Sequence, residues 1–268
     1  MSGRLVVCPT PIGNLEDVTL RVLTELREAD LVLAEDTRHT RGLLERHGIS
    51  ARLLSLHEHN EAARVVELLP RLEAGERIAL VSDAGMPVVS DPGARLVRAA
   101  LDAGIEVTVL PGPSAVETAL VASGLAGGRH AFVGFLPRKA GELDALWREL
   151  ADWPGPVVAF ESPQRLGASL RSLAAFDAER EVAVCRELTK RFEEVVRGTA
   201  AELAPRFATA PKGEITVVLG PGERTFDTAA AHGAVEELVA AGTPRRVAAD
   251  VVSRLTGAAR NALYRATL

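Results

Sequence analysis

Short apolar runs alternate with amphipathic segments along the first 110 residues. The runs lie at 5–8, 31–34, 53–56, 78–81 and 105–110 and predict five buried strands. Between them, apolar residues recur at helical spacing, as in Leu20, Leu23 and Leu26, or Val65, Val66, Leu69 and Leu72. Strands that are apolar throughout and alternate with helices indicate an α/β fold whose parallel sheet is covered on both faces.

The regular alternation of predicted strands and helices ends after Ser114. The pattern predicts a helix over 115–124, an extended segment over 131–138, a helix over 143–150 and a strand over 157–160. A turn at 161–165, a strand at 181–185, a hairpin through 195–198 and a final strand ending at 219 follow. This spacing favours a mixed sheet. We therefore predict an N-terminal α/β domain over 1–111 and a second α/β domain over 112–222 that completes a ligand cleft.

The tail, residues 223–268, follows a predicted linker at 220–223 and contains three short helical patterns. Thr243 is a suitable cap for the second of them, with Pro244 at its first position. Tight turns between three short helices are typical of a helix-turn-helix-like unit. From Arg224 onward the tail carries six Arg and four Asp or Glu, a balance of +2. A role in RNA contact and a plain helical cap both fit this balance.

The loop after the fourth strand is unusually rich in Gly, Pro and Asp. It reads SDAGMPVVSDPG over 82–93 and lies between an apolar run and a helical pattern over 94–103. Gly85 adds no Cβ, and the prolines fix the backbone, so a ligand could contact main-chain groups directly. Loops at the carboxyl ends of strands in open α/β sheets bind ligands. This loop is therefore predicted to bind one.

Composition narrows the class of protein. The chain of 268 residues is 47% hydrophobic, is 25% charged and has a formal net charge of -5, so any contact with nucleic acid must be local. Cys8 and Cys185 lie far apart, which argues against a disulfide scaffold and a structural zinc site. No apolar run approaches the ~18 residues of a membrane span, and no signal-peptide pattern appears. A cytoplasmic protein is expected.

Two polar clusters follow the second and third strands. The first contains Glu35, Asp36, Arg38, His39 and Arg41, and the second contains His57, Glu58 and His59. If the two strands are neighbours, the clusters meet at one edge. They could be metal ligands, although an extended segment would point His57 and His59 to opposite faces. Alternatively, the arginines bind phosphates while a carboxylate or histidine accepts a proton from a hydroxyl.

Several common catalytic patterns are absent from the sequence. It contains no G-x-G-x-x-G after a strand, no G-x-x-x-x-G-K-[ST] and no G-x-S-x-G. These absences argue against dinucleotide-dependent hydride transfer, P-loop phosphoryl transfer and elbow-type serine hydrolysis.

Ten segments in order resemble one family. They are TPIGNL (10–15), AEDTRHTR (34–41), HEHN (57–60), VSDAGMP (81–87), SDPG (90–93), PGPSA (111–115), GFLPR (134–138), ESP (161–163), RELTK (186–190) and KGE (212–214). Together they resemble the bacterial small-subunit rRNA cytidine 2′-O-methyltransferases of the tetrapyrrole-methylase (class III) superfamily. The resemblance covers about residues 4 to 220, and the tail is similar to that family's helix-turn-helix extension.

The resemblance implies a homodimer that binds S-adenosylmethionine, with no metal, between two α/β domains. It also implies the residues that contact the methyl donor: Ile12, Asp83, Ala84, Gly85, Met86, Ser114, Ala115, Phe160, Glu187, Lys212 and Gly213. The acceptor would be a cytidine 2′-hydroxyl in the decoding region of 16S rRNA, presented by the 30S subunit. The candidate bases are Asp36, His57 and Glu58. The residues expected to contact RNA are Arg38, His39, Arg41, Lys190, Arg245 and Arg246.

The sequence leaves three other functions open. The first is methyl transfer to a tetrapyrrole or a protein, although TPIGNL differs from the glycine-rich first loop usual in tetrapyrrole enzymes. The second is a metal-dependent hydrolase that uses the His and Asp clusters. The third is a non-catalytic RNA-binding module, which would not bind S-adenosylmethionine.

Overall fold

The first half of the chain builds a five-stranded parallel sheet. In the computed structural model, which describes residues 3–222, 228–256, 258 and 260–266, the strand order is β3-β2-β4-β1-β5. The strands are β1 (Arg4–Cys8), β2 (Leu31–Ala34), β3 (Leu53–Ser55), β4 (Arg77–Val81) and β5 (Glu106–Val109). The helices are α1 (Leu20–Glu28), α2 (Thr37–Arg46), α3 (Glu61–Glu73) and α4 (Ala94–Asp102). Every predicted strand is present, and the predicted parallel arrangement is confirmed.

Both faces of this sheet are covered by helices. Leu5 of β1 faces a core that includes Leu68 of α3 and Leu96 of α4. Its neighbour Val6 faces the opposite core, with Val22 and other residues of α1. Consecutive strand side chains point to opposite faces, so a strand buried on both sides must be apolar at every position. The uninterrupted apolar runs in the sequence reflect this arrangement.

The cluster after β2 is largely helical, because α2 begins at Thr37, with Asp36 as its N-cap. Three local predictions were wrong. Leu20 and Val66, assigned to the apolar faces of their helices, are 82% and 76% exposed. Likewise, the segment predicted as a turn at 161–165 contains the start of a helix, with Pro163 in its first turn. Proline is favoured there because its missing N–H would be unpaired in any case.

The second sheet is mixed, as predicted. Its strands are β6 (Ala131–Phe135), β7 (Val157–Glu161), β8 (Glu181–Arg186), β9 (Glu194–Thr199) and β10 (Ile215–Leu219), in the order β6-β7-β10-β8-β9. The helices around it are α5 (Ala115–Ser123), α6 (Ala140–Leu150), α7 (Pro163–Phe176) and α8 (Ala200–Arg206). Only β6 and β7 pair in parallel; the other neighbours are antiparallel. Ile12, from the loop after β1, packs into the core that α5 forms against this sheet.

The chain divides into two compact units, Met1–Pro221 and Gly222–Leu268. The division of the first unit near residue 111 stays a prediction. The second unit contains α9 (Thr228–Ala240), α10 (Arg245–Thr256) and α11 (Arg260–Ala266), which share a core around Val235, Val252 and Leu263. The predicted linker ends on Glu223, which lies outside the described residues. Within the described part of the chain, every helix is too short or too polar to cross a bilayer.

Candidate active site

A cavity of about 380 Å³ lies in the first unit, between the loops of the parallel sheet and those of the mixed sheet. We call it the central cavity. It is lined by Ile12, Asp83, Ala84, Asp91, Ala115, Phe135, Phe160, Glu161, Ser162, Pro163, Cys185, Leu188, Gly213, Glu214, Ile215 and Thr216. The central cavity is therefore lined by six of the residues predicted to contact the methyl donor: Ile12, Asp83, Ala84, Ala115, Phe160 and Gly213. The cavity lies beside the strand-end loop over 82–93 that was predicted to bind a ligand, and this binding stays a prediction.

Three more predicted donor contacts line a smaller pocket next to it. Gly85, Met86 and Ser114 surround a space of about 100 Å³ that shares Phe160 and other residues with the central cavity. Glu187 and Lys212 do not line either space. Their predicted contacts with a donor stay predictions.

The main chain of Gly85 was expected to contact a ligand directly, but it is bonded within the protein. Its N–H donates to the carbonyl of Thr10, and its carbonyl accepts from the N–H of Thr10, both at 2.9 Å. The hydroxyl of Ser82 donates to the same carbonyl at 2.9 Å. The main chain of Gly85 is therefore already paired and does not offer free groups to a ligand. Its φ of +82° explains the glycine, since other residues adopt that conformation at a cost.

The rest of this loop is held in a strained conformation. Val88 and Ser90 have φ values of +74° and +67°, which are uncommon for residues with a Cβ, above all a β-branched one. The end of the loop is fixed by the buried carboxylate of Glu61, which accepts the N–H groups of Gly93 and Arg95 at 2.9 Å each. Strained backbone persists only where its surroundings hold it, and it is frequent at active sites. Asp91 lies inside this fixed segment and lines the cavity.

The opposite wall is braced by charged groups of the mixed sheet. Glu187 accepts the N–H of Glu214 at 3.0 Å and the ammonium of Lys190 at 2.9 Å. These contacts lower the pKa of Glu187, with the main-chain hydrogen bond as the largest cause. Gly213 has a φ of +98°, and a Cβ there would lie 2.4 Å from the side chain of Glu187, so glycine is strongly favoured at this position. Glu187 does not line the cavity itself, but it holds the main chain of Glu214, which does.

Asp36, a candidate base, is tied to its own helix. Its carboxylate accepts the N–H of Arg38 at 2.8 Å and pairs with the Arg38 guanidinium at 2.7 Å. These hydrogen bonds lower the pKa of Asp36 well below its usual value, and the Arg38 side chain is the largest cause. A carboxylate with such a low pKa accepts protons poorly. The N–H of Asp36 donates to Asp83 at 3.0 Å, which joins the clusters of β2 and β4.

His57 and His59 were expected to point to opposite faces of an extended segment, and this expectation was wrong. Residues 58–60 form a turn, and the two imidazole rings meet edge to face with centroids 6.0 Å apart. The Asn60 side chain lies 3.1 Å from Nε2 of His57, while Nδ1 of His57 is buried without a hydrogen-bond partner among the described atoms. Because β2 and β3 pair in parallel, the two polar clusters do meet at one edge. Neither His57 nor Glu58 lines the central cavity.

The sequence interpretation missed Asp91. Burial raises its pKa to about 7, and the nearby carboxylates of Glu35 and Asp83 contribute to the increase. The pKa of Glu35 is raised as well, first by desolvation and then by Asp83. No hydrogen bond or ion pair to the Asp91 carboxylate is found within the described part of the chain. The SDPG segment was part of the resemblance, but the approach of Asp91 to carboxylates from β2 and β4 depends on the folded structure.

The residues predicted to contact RNA differ in their exposure and in their ion pairs. Arg38 is 87% exposed at its side chain but pairs with Asp36, and His39 and Arg41 are exposed on α2. Lys190 is held between Glu187 and Glu214, at 2.9 and 2.8 Å. Arg246 is exposed on α10 and Arg245 is partly exposed. Their contact with RNA stays a prediction.

The central cavity suits a cationic, partly apolar ligand. Its volume falls within the range of about 300–1,000 Å³ of small-molecule sites. Ile12, Phe160 and Leu188 provide apolar walls, and Asp83 and Asp91 provide carboxylates that complement a positive charge. Phe132 and Phe135 pack edge to face on Phe160, with centroids 4.9 and 5.4 Å away, and fix its ring. Among the described residues, no group of three or more His, Cys, Asp or Glu is arranged to hold a metal ion.

Comparison with known families decides which ligand to expect. The model of the Tetrapyrrole (Corrin/Porphyrin) Methylases matches residues 4–204. This chain belongs to the tetrapyrrole methylase family. It is therefore a methyltransferase of the class that uses S-adenosylmethionine, and the predicted resemblance and fold class are confirmed. The match spans the whole parallel sheet and the mixed sheet as far as α8, and it ends before β10.

Individual relatives cover more of the chain. Ribosomal RNA small subunit methyltransferase I of Mesorhizobium japonicum is 46% identical over 267 residues, covering 98% of this chain and 91% of its own. The protein of the same name from Thermotoga maritima is 47% identical over 222 residues, covering 82% of this chain and 100% of its own. This tetrapyrrole methylase thus resembles the first of them along nearly its whole length, tail included.

Solved structures of more distant relatives share the fold. Uroporphyrin-III C-methyltransferase from Thermus thermophilus, solved with S-adenosylhomocysteine, superposes with a TM-score of 0.58 at 21% identity, covering 81% of this chain and 97% of its own. A diphthine synthase superposes with a TM-score of 0.62 at 19% identity, covering 81% and 90%. At these identities the likeness shows the fold alone.

Proposed function

We propose that this protein transfers a methyl group from S-adenosylmethionine to the ribose 2′-hydroxyl of a cytidine in the decoding region of 16S rRNA. The observation that carries the proposal is the likeness, over 98% of the chain, to an enzyme named as a small-subunit ribosomal RNA methyltransferase. The central cavity supports it, because its apolar walls and carboxylates suit the methyl donor.

The donor, when bound, supplies a methyl group that is already activated by its bond to a positive sulfur. The protein then has to align the acceptor oxygen with that carbon, and alignment alone can lower a barrier by about 7–11 kcal/mol. Ile12, Phe160 and Leu188 would position the donor and exclude water. Asp83 and Asp91 would face its positive charge. As the carbon–oxygen bond forms and the carbon–sulfur bond breaks, the hydroxyl proton must leave the ribose oxygen.

Four residues are candidates to accept that proton. Asp36, His57 and Glu58 lie at the sheet edge formed by β2 and β3, but Asp36 is paired with Arg38. Asp91 is the best placed, because it lines the cavity and has a pKa of about 7, near the pH at which the reaction would run. A general base of this kind contributes about 10²–10⁴-fold to a rate.

The remaining predicted contacts complete the proposal. Arg38, His39, Arg41 and Lys190 would contact RNA near the site, and Arg245 and Arg246 would do so from the tail. The acceptor would be the 30S subunit, and the protein would act as a homodimer. Light scattering during size-exclusion chromatography would test the dimer directly.

The test of the function is methyl transfer from labelled S-adenosylmethionine to purified 30S subunits that lack the modification, with the labelled nucleotide mapped. We expect the label on the 2′-oxygen of a decoding-region cytidine. Ala84 is exposed and lines the cavity, so Ala84→Trp should block donor binding and labelling. Ala62→Trp, at an exposed position of α3, is the matched control and should label normally.

Two results would count against this function. Donor binding without labelling of RNA would keep the methyltransferase but point to another acceptor, such as a tetrapyrrole or a protein. A wild-type protein that does not bind S-adenosylmethionine would contradict the whole proposal and favour a non-catalytic RNA-binding role.

A further inference from the structure

A second cavity, of about 340 Å³, lies beside the central cavity, and we call it the α2 pocket. The loop after β1 and the first two turns of α2 form its sides, and Ser82 and Asp83 complete it. Asp83 lines both cavities, so a ligand in the α2 pocket would lie directly next to a donor in the central cavity. None of the donor contacts predicted from the sequence, apart from Asp83, lies in this pocket.

Thr40 gives the α2 pocket an unsatisfied hydrogen-bonding group. The residue is 2% exposed, and its hydroxyl has no hydrogen-bond partner among the described atoms. A threonine inside a helix can bond its hydroxyl to the carbonyl four residues earlier, but only the main-chain N–H of Thr40 bonds Asp36 there, at 3.1 Å.

The other hydroxyls of the pocket are paired within the protein. Thr10 donates to the carbonyl of Ser82 at 3.0 Å, and Ser82 donates to Gly85 at 2.9 Å. A buried polar group without a partner costs free energy, which a ligand that pairs with it would recover. Thr40 therefore has the one hydroxyl of this pocket that lacks a partner in the described part of the chain.

The charges of the α2 pocket favour a neutral ligand over an anion. Arg38 lies at the pocket but is neutralised by Asp36 at 2.7 Å, and Asp83 adds a negative charge. A phosphate would meet this carboxylate, and the arginine that could offset the repulsion is already paired. Pro11, Leu15 and Leu43 supply apolar wall. A flat, uncharged group with hydrogen-bonding edges matches this lining, and a nucleobase is such a group.

We propose that the α2 pocket receives the base of the acceptor nucleotide and that the Thr40 hydroxyl bonds its edge. The inference rests on the proposed rRNA methyltransferase function. A base turned out of its stack into this pocket would bring its own ribose to the boundary at Asp83. The 2′-hydroxyl would then face the central cavity, where the methyl group is expected.

The decisive variant is Thr40→Val, which replaces the hydroxyl with a methyl group of similar size. We expect kcat/KM for 30S subunits to fall about tenfold, as for the loss of one hydrogen bond at the upper end of the usual range. The Kd for S-adenosylmethionine should not change. The thermal midpoint should stay equal or rise, because the substitution removes an unpaired buried hydroxyl. Thr40→Ser keeps the hydroxyl and should keep most of the activity.

Thr24→Val is the matched control. Thr24 is exposed on α1 and lies outside both cavities, so its variant should methylate subunits at the wild-type rate. A merely structural role for Thr40 would instead lower the thermal midpoint and donor affinity of Thr40→Val together with its activity. That result would overturn the proposal.

A second measurement separates a base from a phosphate. Subunits in which the target cytidine is replaced by uridine are compared with normal ones, and we expect Thr40→Val to reduce the preference for cytidine. If it lowers both rates by the same factor, or lowers neither, the pocket does not read the base. Absence of any RNA methylation by the wild-type protein would contradict the proposed function itself, which is a separate outcome.

Discussion

The carboxylate of Glu61, at the start of α3, accepts the main-chain N–H of Gly93 at 2.9 Å. The same oxygen accepts the N–H of Arg95, so a side chain from α3 caps the N-terminus of α4. Glu61 is only 7% exposed, and no side chain of the loop before α4 caps the helix in its place. This contact fixes the end of the loop that carries Asp91 into the central cavity.

Replacing Glu61 with alanine should destabilise the protein. Hydrogen bonds to a charged group contribute about 1.5–3 kcal/mol, so the free energy of unfolding should fall by about that amount. Glu61→Gln keeps an acceptor oxygen and should lose less. Urea denaturation gives both values. Glu73→Ala, at the exposed end of the same helix, is the control, and an equal loss in the two alanine variants would contradict the capping role.

The raised pKa of Asp91 should appear in the pH dependence of stability. Its folded pKa is about 7 against an ordinary value of 3.8, so the folded state binds more protons between those pH values. The free energy of unfolding contributed by this group therefore falls as pH rises from about 4 to 7. Asp91→Asn should gain stability relative to wild type across that window, and the gain should level off above pH 7.

Thermal unfolding of both proteins at pH 5, 6, 7 and 8 would measure this gain. Asp102→Asn, in which an exposed carboxylate of α4 is removed, is the control for loss of a surface charge. A difference between Asp91→Asn and wild type that is constant from pH 5 to 8 would show that burial does not raise the pKa of Asp91.

The candidate bases can be separated by turnover. We expect Asp36→Asn and His57→Ala to lose turnover but to keep donor binding, because both residues lie at the sheet edge after β2 and β3 and neither lines the central cavity. Asparagine also caps helices well, so Asp36→Asn should leave α2 intact. Labelled methyl transfer and donor titration would measure the two effects. Wild-type turnover in both variants would exclude them as bases.

Proton transfer to Asp91 should give the methylation rate a distinct pH dependence in the same assay. If it accepts the proton, the wild-type rate should rise with pH up to about 7, where its carboxylate becomes charged. In Asp91→Asn the rate should fall by about 10²–10⁴-fold and lose this pH dependence. A variant that keeps the wild-type profile would assign the proton transfer to another group.

Phe135 should contribute to donor binding without contributing much to stability. Its ring is 60% exposed, lines the central cavity and packs edge to face on Phe160. An aromatic contact between this ring and the donor would be worth about 0.5–1.5 kcal/mol, so Phe135→Ala should raise the donor Kd by roughly 2- to 13-fold. Calorimetric titration measures the Kd. Phe176→Ala, at a partly exposed position outside the cavity, should leave it unchanged.

Much of the fold was predictable because it is encoded locally. A strand covered on both faces must be apolar throughout, so runs such as Leu31–Ala34 predicted the strands and their parallel pairing. Thr19 caps α1 through its hydroxyl, which is a contact between residues only three positions apart. The polar segments after β2, β3 and β4 then had to lie at one edge of the sheet. The loop at 82–93 could be singled out for the same reason.

The tertiary structure decided what the site residues can do. A pKa depends on burial and on charges that arrive from other strands, so the state of Asp91 could not be obtained from the residues next to it. The lowered pKa of Asp36 likewise depends on α2, which places the Arg38 guanidinium against its carboxylate. Thr40 became notable only when folding buried its hydroxyl without a partner. Periodicity determines which face a residue takes, whereas only the packed structure determines which distant groups share its surroundings.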